Sequence, residues 1–200
     1  MAQKLQHSKF VWLPALALLF LLPACSLNVK KGDNGEDKKV DIQTPLGGIH
    51  VDKEADVRDV GLPVYPGARQ KPKGDHDESS ANVNMSWGPF GLKVVAIEYL
   101  TDDSPEKVIA FYKDKLKTYG NILECHSDKR DADDVDVELG KDKGSKELNC
   151  GNNQGKNLEL KVGTKDNQHM VSIHPQDSGK GTDFALVYIR TRNDKDKDTI

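Results

Sequence analysis

Two hydrophobic periods alternate along this chain, and the points where they switch outline its elements. Val83, Met85 and Trp87 alternate with Asn82, Asn84 and Ser86, the period of two that sends successive side chains to opposite faces of a strand. That strand turns at Gly88-Pro89-Phe90-Gly91 into residues 92–100, which are apolar at nearly every position. A run of this kind is expected in the middle of a sheet. Earlier, residues 40–51 alternate on both sides of a Pro45-Leu46-Gly47-Gly48 break and predict a short hairpin. Residues 122–125, 147–150, 158–162, 170–174 and 184–190 read as further strands, with a turn at 164–168. Only residues 104–119 carry helical spacing: Val108, Ile109, Phe111, Tyr112, Leu116 and Tyr119 form one apolar stripe opposite a lysine-rich side. Ser104 suits an N-cap, Pro105 the first helical position, Glu106 the positive end of the dipole, and Gly120 the close of the helix. The stripe is expected to pack on the sheet rather than to form a ligand platform. The sum is an α+β fold: one domain over residues 40–192, an antiparallel β-sheet of about six strands with one amphipathic helix (104–119) packed on one face.

The N-terminus follows neither period. After Lys4 and Lys9 comes an apolar run of 13 residues, 10–22, and then Leu22-Pro23-Ala24-Cys25. The run has the length of a signal h-region and falls short of the roughly 20 residues that span a bilayer. These first 26 residues resemble a bacterial lipoprotein signal with its lipobox, in which a peptidase cuts before a cysteine bearing a diacylglycerol thioether. The resemblance implies that residues 1–24 are removed and that Cys25 is the lipidated first residue, usually with a third acyl chain. Two or more chains suffice for stable anchoring. An uncleaved signal anchor with an incidental cysteine is the alternative. Ser26 stands where an aspartate would favour inner-membrane retention in the enterobacterial pattern this resembles. The expected address is therefore the outer membrane, facing the periplasm, or the extracytoplasmic face of the plasma membrane where no outer membrane exists. Residues 25–39 read as the lipidated cysteine and a flexible tether, and 193–200 as a disordered tail.

Charge narrows the set of partners. The net charge is −3, and residues 1–24 hold two lysines and no acids, so the mature chain carries −5. This balance argues against a nucleic-acid partner and provides no pull toward anionic lipid, leaving the lipid on Cys25 as the membrane attachment. With Cys25 acylated, Cys125 and Cys150 remain, an even number in an oxidising compartment, and a disulfide between them is expected. It would close off a charged excursion over 127–146. Two free thiols acting as redox or metal ligands are the alternative, although no Cys-x-x-Cys spacing occurs.

Leu62-Pro63-Val64-Tyr65-Pro66-Gly67-Ala68 ahead of a strand pair, followed by a Ser-Pro-Glu-capped helix with Phe111-Tyr112 and Leu116, resembles a pattern in uncharacterised bacterial envelope lipoproteins. The resemblance covers about a third of the chain and implies an α+β fold, with no activity attached. Pro63 and Pro66 hold the segment extended, while Tyr65 either covers the core edge or binds a ligand. No Gly-x-Ser-x-Gly elbow, Walker A loop, dinucleotide fingerprint or His-Glu-x-x-His is present. Gly179-Lys180-Gly181-Thr182 reads as a turn. His169 and His174 are an odd number of residues apart in a strand and should face opposite ways. Asp75-His76-Asp77-Glu78 can attract a divalent cation, as any charged loop can. Asp131, Asp133, Asp134, Asp136 and Glu138 form the strongest cation candidate, yet counting from Asp134 puts Leu139 where an EF-hand needs glycine. Interleaved Lys129, Arg130, Lys141 and Lys143 lead us to expect weak association or none. No cofactor and no catalytic residue is expected. The reading is a monomeric, non-enzymatic envelope lipoprotein serving as an interaction or structural module, with an envelope protein as a candidate partner. The alternatives are a lipoprotein that binds a small ligand or divalent cation and, behind it, a hydrolase with an unrecognised carboxylate site.

Overall fold

Most strand-forming stretches in this chain pair with a strand close to them in sequence, and one long crossover joins the two runs into a single sheet. The structure, a computed structural model, describes residues 25–31, 37–72, 79–128, 145–151, 153–176 and 179–192. Its strands are β1 (Ser26–Lys31), β2 (Asp37–Thr44), β3 (Gly47–Asp52), β4 (Arg69–Gln70), β5 (Ser80–Trp87), β6 (Phe90–Thr101), β7 (Leu123–Ser127), β8 (Asn157–Thr164), β9 (Asn167–Pro175) and β10 (Thr182–Arg192). Two helices, α1 (Val57–Val60) and α2 (Pro105–Leu116), interrupt them, and a 3₁₀ turn at Lys117–Tyr119 continues α2. All ten strands join one antiparallel sheet in the order β1-β2-β3-β5-β6-β10-β9-β8-β7, with β4 paired to the far end of β6. The apolar β6 lies at the centre of that path, as its burial on both faces requires.

The fold is therefore mostly β, and the expectation of an α+β domain with about six strands is corrected. The strands that periodicity underestimates lie at the solvated margin. In β1 only Leu27 and Val29 are apolar and all six residues are exposed, so the ladder to β2, from Ser26↔Gln43 to Lys31↔Asp37, holds the strand rather than burial. The flexible tether expected over 25–39 is thus a paired strand over 26–31. The expected strand at 147–150 is absent as well. That segment runs irregularly across the sheet, where the Cys125–Cys150 disulfide ties it to β7 and the Lys165 amide donates to the Lys146 carbonyl at 2.9 Å.

Among the described residues, helices cover one face only. Val60 of α1 and Val108, Tyr112 and Leu116 of α2 are fully buried against Val95, Ile97 and Tyr99 of β6, Phe184 and Leu186 of β10, Val171 and Ile173 of β9, and Leu160 and Val162 of β8. The three α2 residues recur every fourth position, one side of a helix. Ser104 occupies the N-cap position but makes no side-chain bond to the backbone, and its hydroxyl engages the Glu106 carboxylate instead. Tyr65 packs rather than binds: it is buried, its ring meets Phe111 edge-on at 5.2 Å, and its hydroxyl donates to Asp103 at 2.9 Å. The Tyr112 hydroxyl accepts from the Tyr65 amide at 3.1 Å and donates to the Pro63 carbonyl at 3.2 Å. One side chain thereby anchors the proline-bounded crossing, and burial pushes that phenol well above its ordinary pKa. On the opposite face a smaller cluster, Ala96, Met170, Ala185, Val187 and Ile189, has no helix over it among the described residues.

Candidate functional site

Toward β2, β3 and β5 the sheet extends beyond the helices that cover it, and its polar alternate positions line up across strands. Asp41, His50, Asn84, Lys93 and Arg190 stand in one cross-strand row. Gln43, Gly48, Ser86, Gly91 and Arg192 stand in the next. Directly opposed residues share a face, so these rows build the floor of an open groove of about 420 Å³. Glycine keeps the strands close here, because a Cβ on Gly47 would sit 2.0 Å from the Ser86 carbonyl oxygen. At Gly91 the missing side chain lets Arg192 lie across the strand, with its Nη2 3.6 Å from where a Cβ would be.

The charges of the groove are partly spent internally. Lys93 Nζ pairs with Asp59 Oδ1 at 3.0 Å, Asn82 donates to the other Asp59 oxygen at 3.2 Å, and Asn84 donates to Asn82 at 2.9 Å. His50 Nδ1 pairs with the Asp41 carboxylate. Arg190 and Arg192 are exposed, and no described carboxylate pairs with either. A guanidinium presents a planar fork of donors matched to carboxylate or phosphate, so two of them on one strand suit an anionic group. Asp41, His50 and Ser86 are residue types of a hydrolytic triad, but a nucleophile must lie within hydrogen-bond reach of its base. The Ser86 hydroxyl instead accepts from the Gly48 amide at 3.2 Å.

The residues singled out from sequence are placed as follows. Cys25 is an exposed free thiol directly before β1, and Cys125 and Cys150 are bonded to each other. Asp131, Asp133, Asp134, Asp136 and Glu138, the loop 75–78, the leader 1–24 and the tail 193–200 lie outside the described residues. Among the described residues no three His, Cys, Asp or Glu side chains group as a metal site, and no helix is long and apolar enough to cross a membrane. Gly181 has φ +90° in the connection to β10, and a Cβ on it would meet the Thr101 carbonyl at 2.5 Å, which accounts for the glycine without a ligand. None of the groove residues was singled out beforehand. Alternating polar positions read as solvent-facing until the register stacks them.

His169 and His174 do face opposite ways. His174 stands 3.8 Å from Asp183, whereas His169 is wedged between Tyr119 at 4.2 Å and Tyr188 at 4.9 Å. Burial lowers the His169 pKa below 6.5, and a hydrogen bond to the Val60 carbonyl partly offsets that. The unfolded chain retains the ordinary value, so it takes up the proton first as pH falls, and this residue removes stability below about pH 6.5. His169→Phe keeps the ring stack without the titration. Its urea midpoint should therefore fall less than that of the wild type between pH 7.5 and pH 5, and equal declines would contradict the assignment. No protein-family model, no characterised protein and no solved structure matches this chain.

Proposed function

We propose that the chain is a lipid-anchored protein of the cell envelope, held at Cys25 and facing away from the cytoplasm, whose sheet binds an anionic group without transforming it. The lipobox-like segment supports the anchor and the address. The binding role rests on one observation: Arg190 and Arg192 reach an open groove with no carboxylate partner among the described residues. Lys93, although paired with Asp59, adds to the same positive field, within a mature chain that is otherwise acidic. Such a local reversal of sign concentrates anions at the groove.

Thermal unfolding in inorganic phosphate or citrate, against chloride at equal ionic strength, tests this reading. A ligand at ten times its Kd stabilises by about 1.4 kcal/mol, which is roughly 3–5 °C for a chain of this length. Arg190→Ala with Arg192→Ala should abolish the shift while leaving the melting temperature in chloride within about 1 °C, since exposed substitutions change stability little. A shift that persists in the double variant would remove the groove from consideration. No shift with either anion would leave the arginines without the proposed role.

A further inference from the structure

A tether of residues 25–39 would let the sheet stand as far as roughly 50 Å from its lipid. The structure leaves no such slack, because pairing begins at Ser26, one residue after Cys25. Whatever end of the sheet lies beside Ser26 is therefore held against the surface that receives the lipid.

That end is unusually apolar. Ser26 pairs with Gln43 just before the β2–β3 turn, Gly47 after the turn pairs with Trp87, and the Gly88 amide donates to the Leu46 carbonyl at 2.9 Å. The two turns are thus bonded side by side. Leu27 is 68 % exposed, Leu46 66 % and Trp87 62 %. The helix-free face continues from them as a cross-strand row, Leu27, Ile42, Ile49, Met85 and Leu92. Of the six large hydrophobic residues exposed among the described ones, only Tyr119 lies elsewhere. Exposed apolar residues scattered singly need no explanation, but a contiguous group marks an interaction surface. A tryptophan at its tip is the residue most at home at the headgroup level of a bilayer, with its ring in the apolar region and its N–H in water.

We infer that this end of the sheet, the tip formed by Leu27, Leu46 and Trp87, docks onto the lipid bilayer and orients the domain on the membrane. The inference rests on the reading of Cys25 as the lipid attachment point. The bilayer, rather than a second copy, is the occupant because the attachment point and the apolar tip share one end of one sheet. Acyl chains on Cys25 would hold the tip at high effective concentration against the interface, so the tip need not bind membranes tightly by itself. It would set which face of the domain is presented to the compartment.

Trp12 leaves with the leader, so Trp87 is the only tryptophan of the mature chain and reports on the tip directly. The purified full-length product, with the mass of its Cys25 peptide measured, is incorporated into phosphatidylcholine vesicles carrying brominated acyl chains, with unbrominated vesicles as control. The expected result is a blue-shifted Trp87 emission that brominated lipid largely quenches. Leu27→Asp with Leu46→Asp should reverse both effects while leaving the melting temperature unchanged. An acylated Cys25 with water-like, unquenched emission would overturn the docking inference and leave the anchor standing. If Cys25 carries no lipid, the anchor reading fails. The Trp12→Phe chain, whose only tryptophan is Trp87, added to excess vesicles then decides the tip separately: quenching that Leu27→Asp with Leu46→Asp removes upholds the tip as a membrane surface, and its absence refutes it. A blue shift that follows protein concentration rather than vesicles would assign the tip to self-association and overturn the inference.

Discussion

Phe184→Ala is expected to lower the unfolding free energy by about 3–5 kcal/mol, the range for emptying a large aromatic site in a core. The ring is 1 % exposed and lies where three elements meet. Tyr99 of β6 stacks on it at 5.5 Å, Tyr112 of α2 tilts against it at 5.6 Å, and Tyr65 of the crossing segment approaches edge-on at 6.4 Å. Removing it breaks all three aromatic contacts at once, each worth about 0.5–1.5 kcal/mol beyond area burial. The neighbours are poorly placed to collapse into the gap, since Tyr112 is held by bonds to Tyr65 and Pro63 and Tyr65 by its bond to Asp103. Small domains have only about 5–15 kcal/mol in total, so the variant should sit near the edge of folding at 37 °C. Urea unfolding measures the loss, and a change below about 1 kcal/mol would mean that this cluster is not the centre of the core.

Removing the Cys125–Cys150 bond is expected to have a comparable effect. The two cysteines are 25 residues apart, and the chain-entropy model assigns about 3.5 kcal/mol to a loop of that length. Two structural consequences should accompany the loss. Cys125 is 1 % exposed in β7, at the edge of the sheet, and the bond joins the Lys165–Lys146 backbone bond and the Lys146–Asp166 ion pair in holding residues 145–151. Cys125→Ala with Cys150→Ala should therefore lower the melting temperature by roughly 7–14 °C, taking 2–4 °C per kcal/mol for a chain of this size. It should also increase amide exchange first in β7 and in residues 145–151, because an edge strand opens more easily than the centre. With Cys25 acylated as proposed, thiol labelling of the unfolded, unreduced chain should find no reactive cysteine, and without acylation it should find Cys25 alone. A double variant as stable as the wild type would show that the cross-link contributes little.

Legibility in the sequence followed burial. Strands β6, β8, β9 and β10 announced themselves because one or both faces are covered, so that apolar residues fall at every second position or at nearly all of them, whereas β5 shows the same alternation although Met85 and Trp87 are exposed. The amphipathic stripe of α2 was readable for the same reason, with Val108, Tyr112 and Leu116 at the contact. Strand β1 was not, since Leu27 and Val29 are its only apolar residues and the ladder to β2 supplies its order. Residues 147–150 misled in the opposite direction. Their pattern suits a strand, but a covalent bond to β7 carries them over the sheet instead of into it. The acidic run at 131–138 drew attention by composition alone, and it lies outside the described residues. The groove drew none, because Gln43, His50, Ser86, Lys93 and Arg192 come from five different strands.

By itself, the sequence determined the central strands, the packed helix and the cysteine pair, all consequences of local period or of the identity of single residues. Tertiary structure alone decided how many strands the sheet has, that pairing starts one residue after Cys25, and which distant polar and apolar positions share a face. The physical reason is that backbone hydrogen bonds between strands are nearly independent of side chain. A margin held by them leaves little periodic signature, and the register they impose gathers the arginines of the groove and the leucines and tryptophan of the tip.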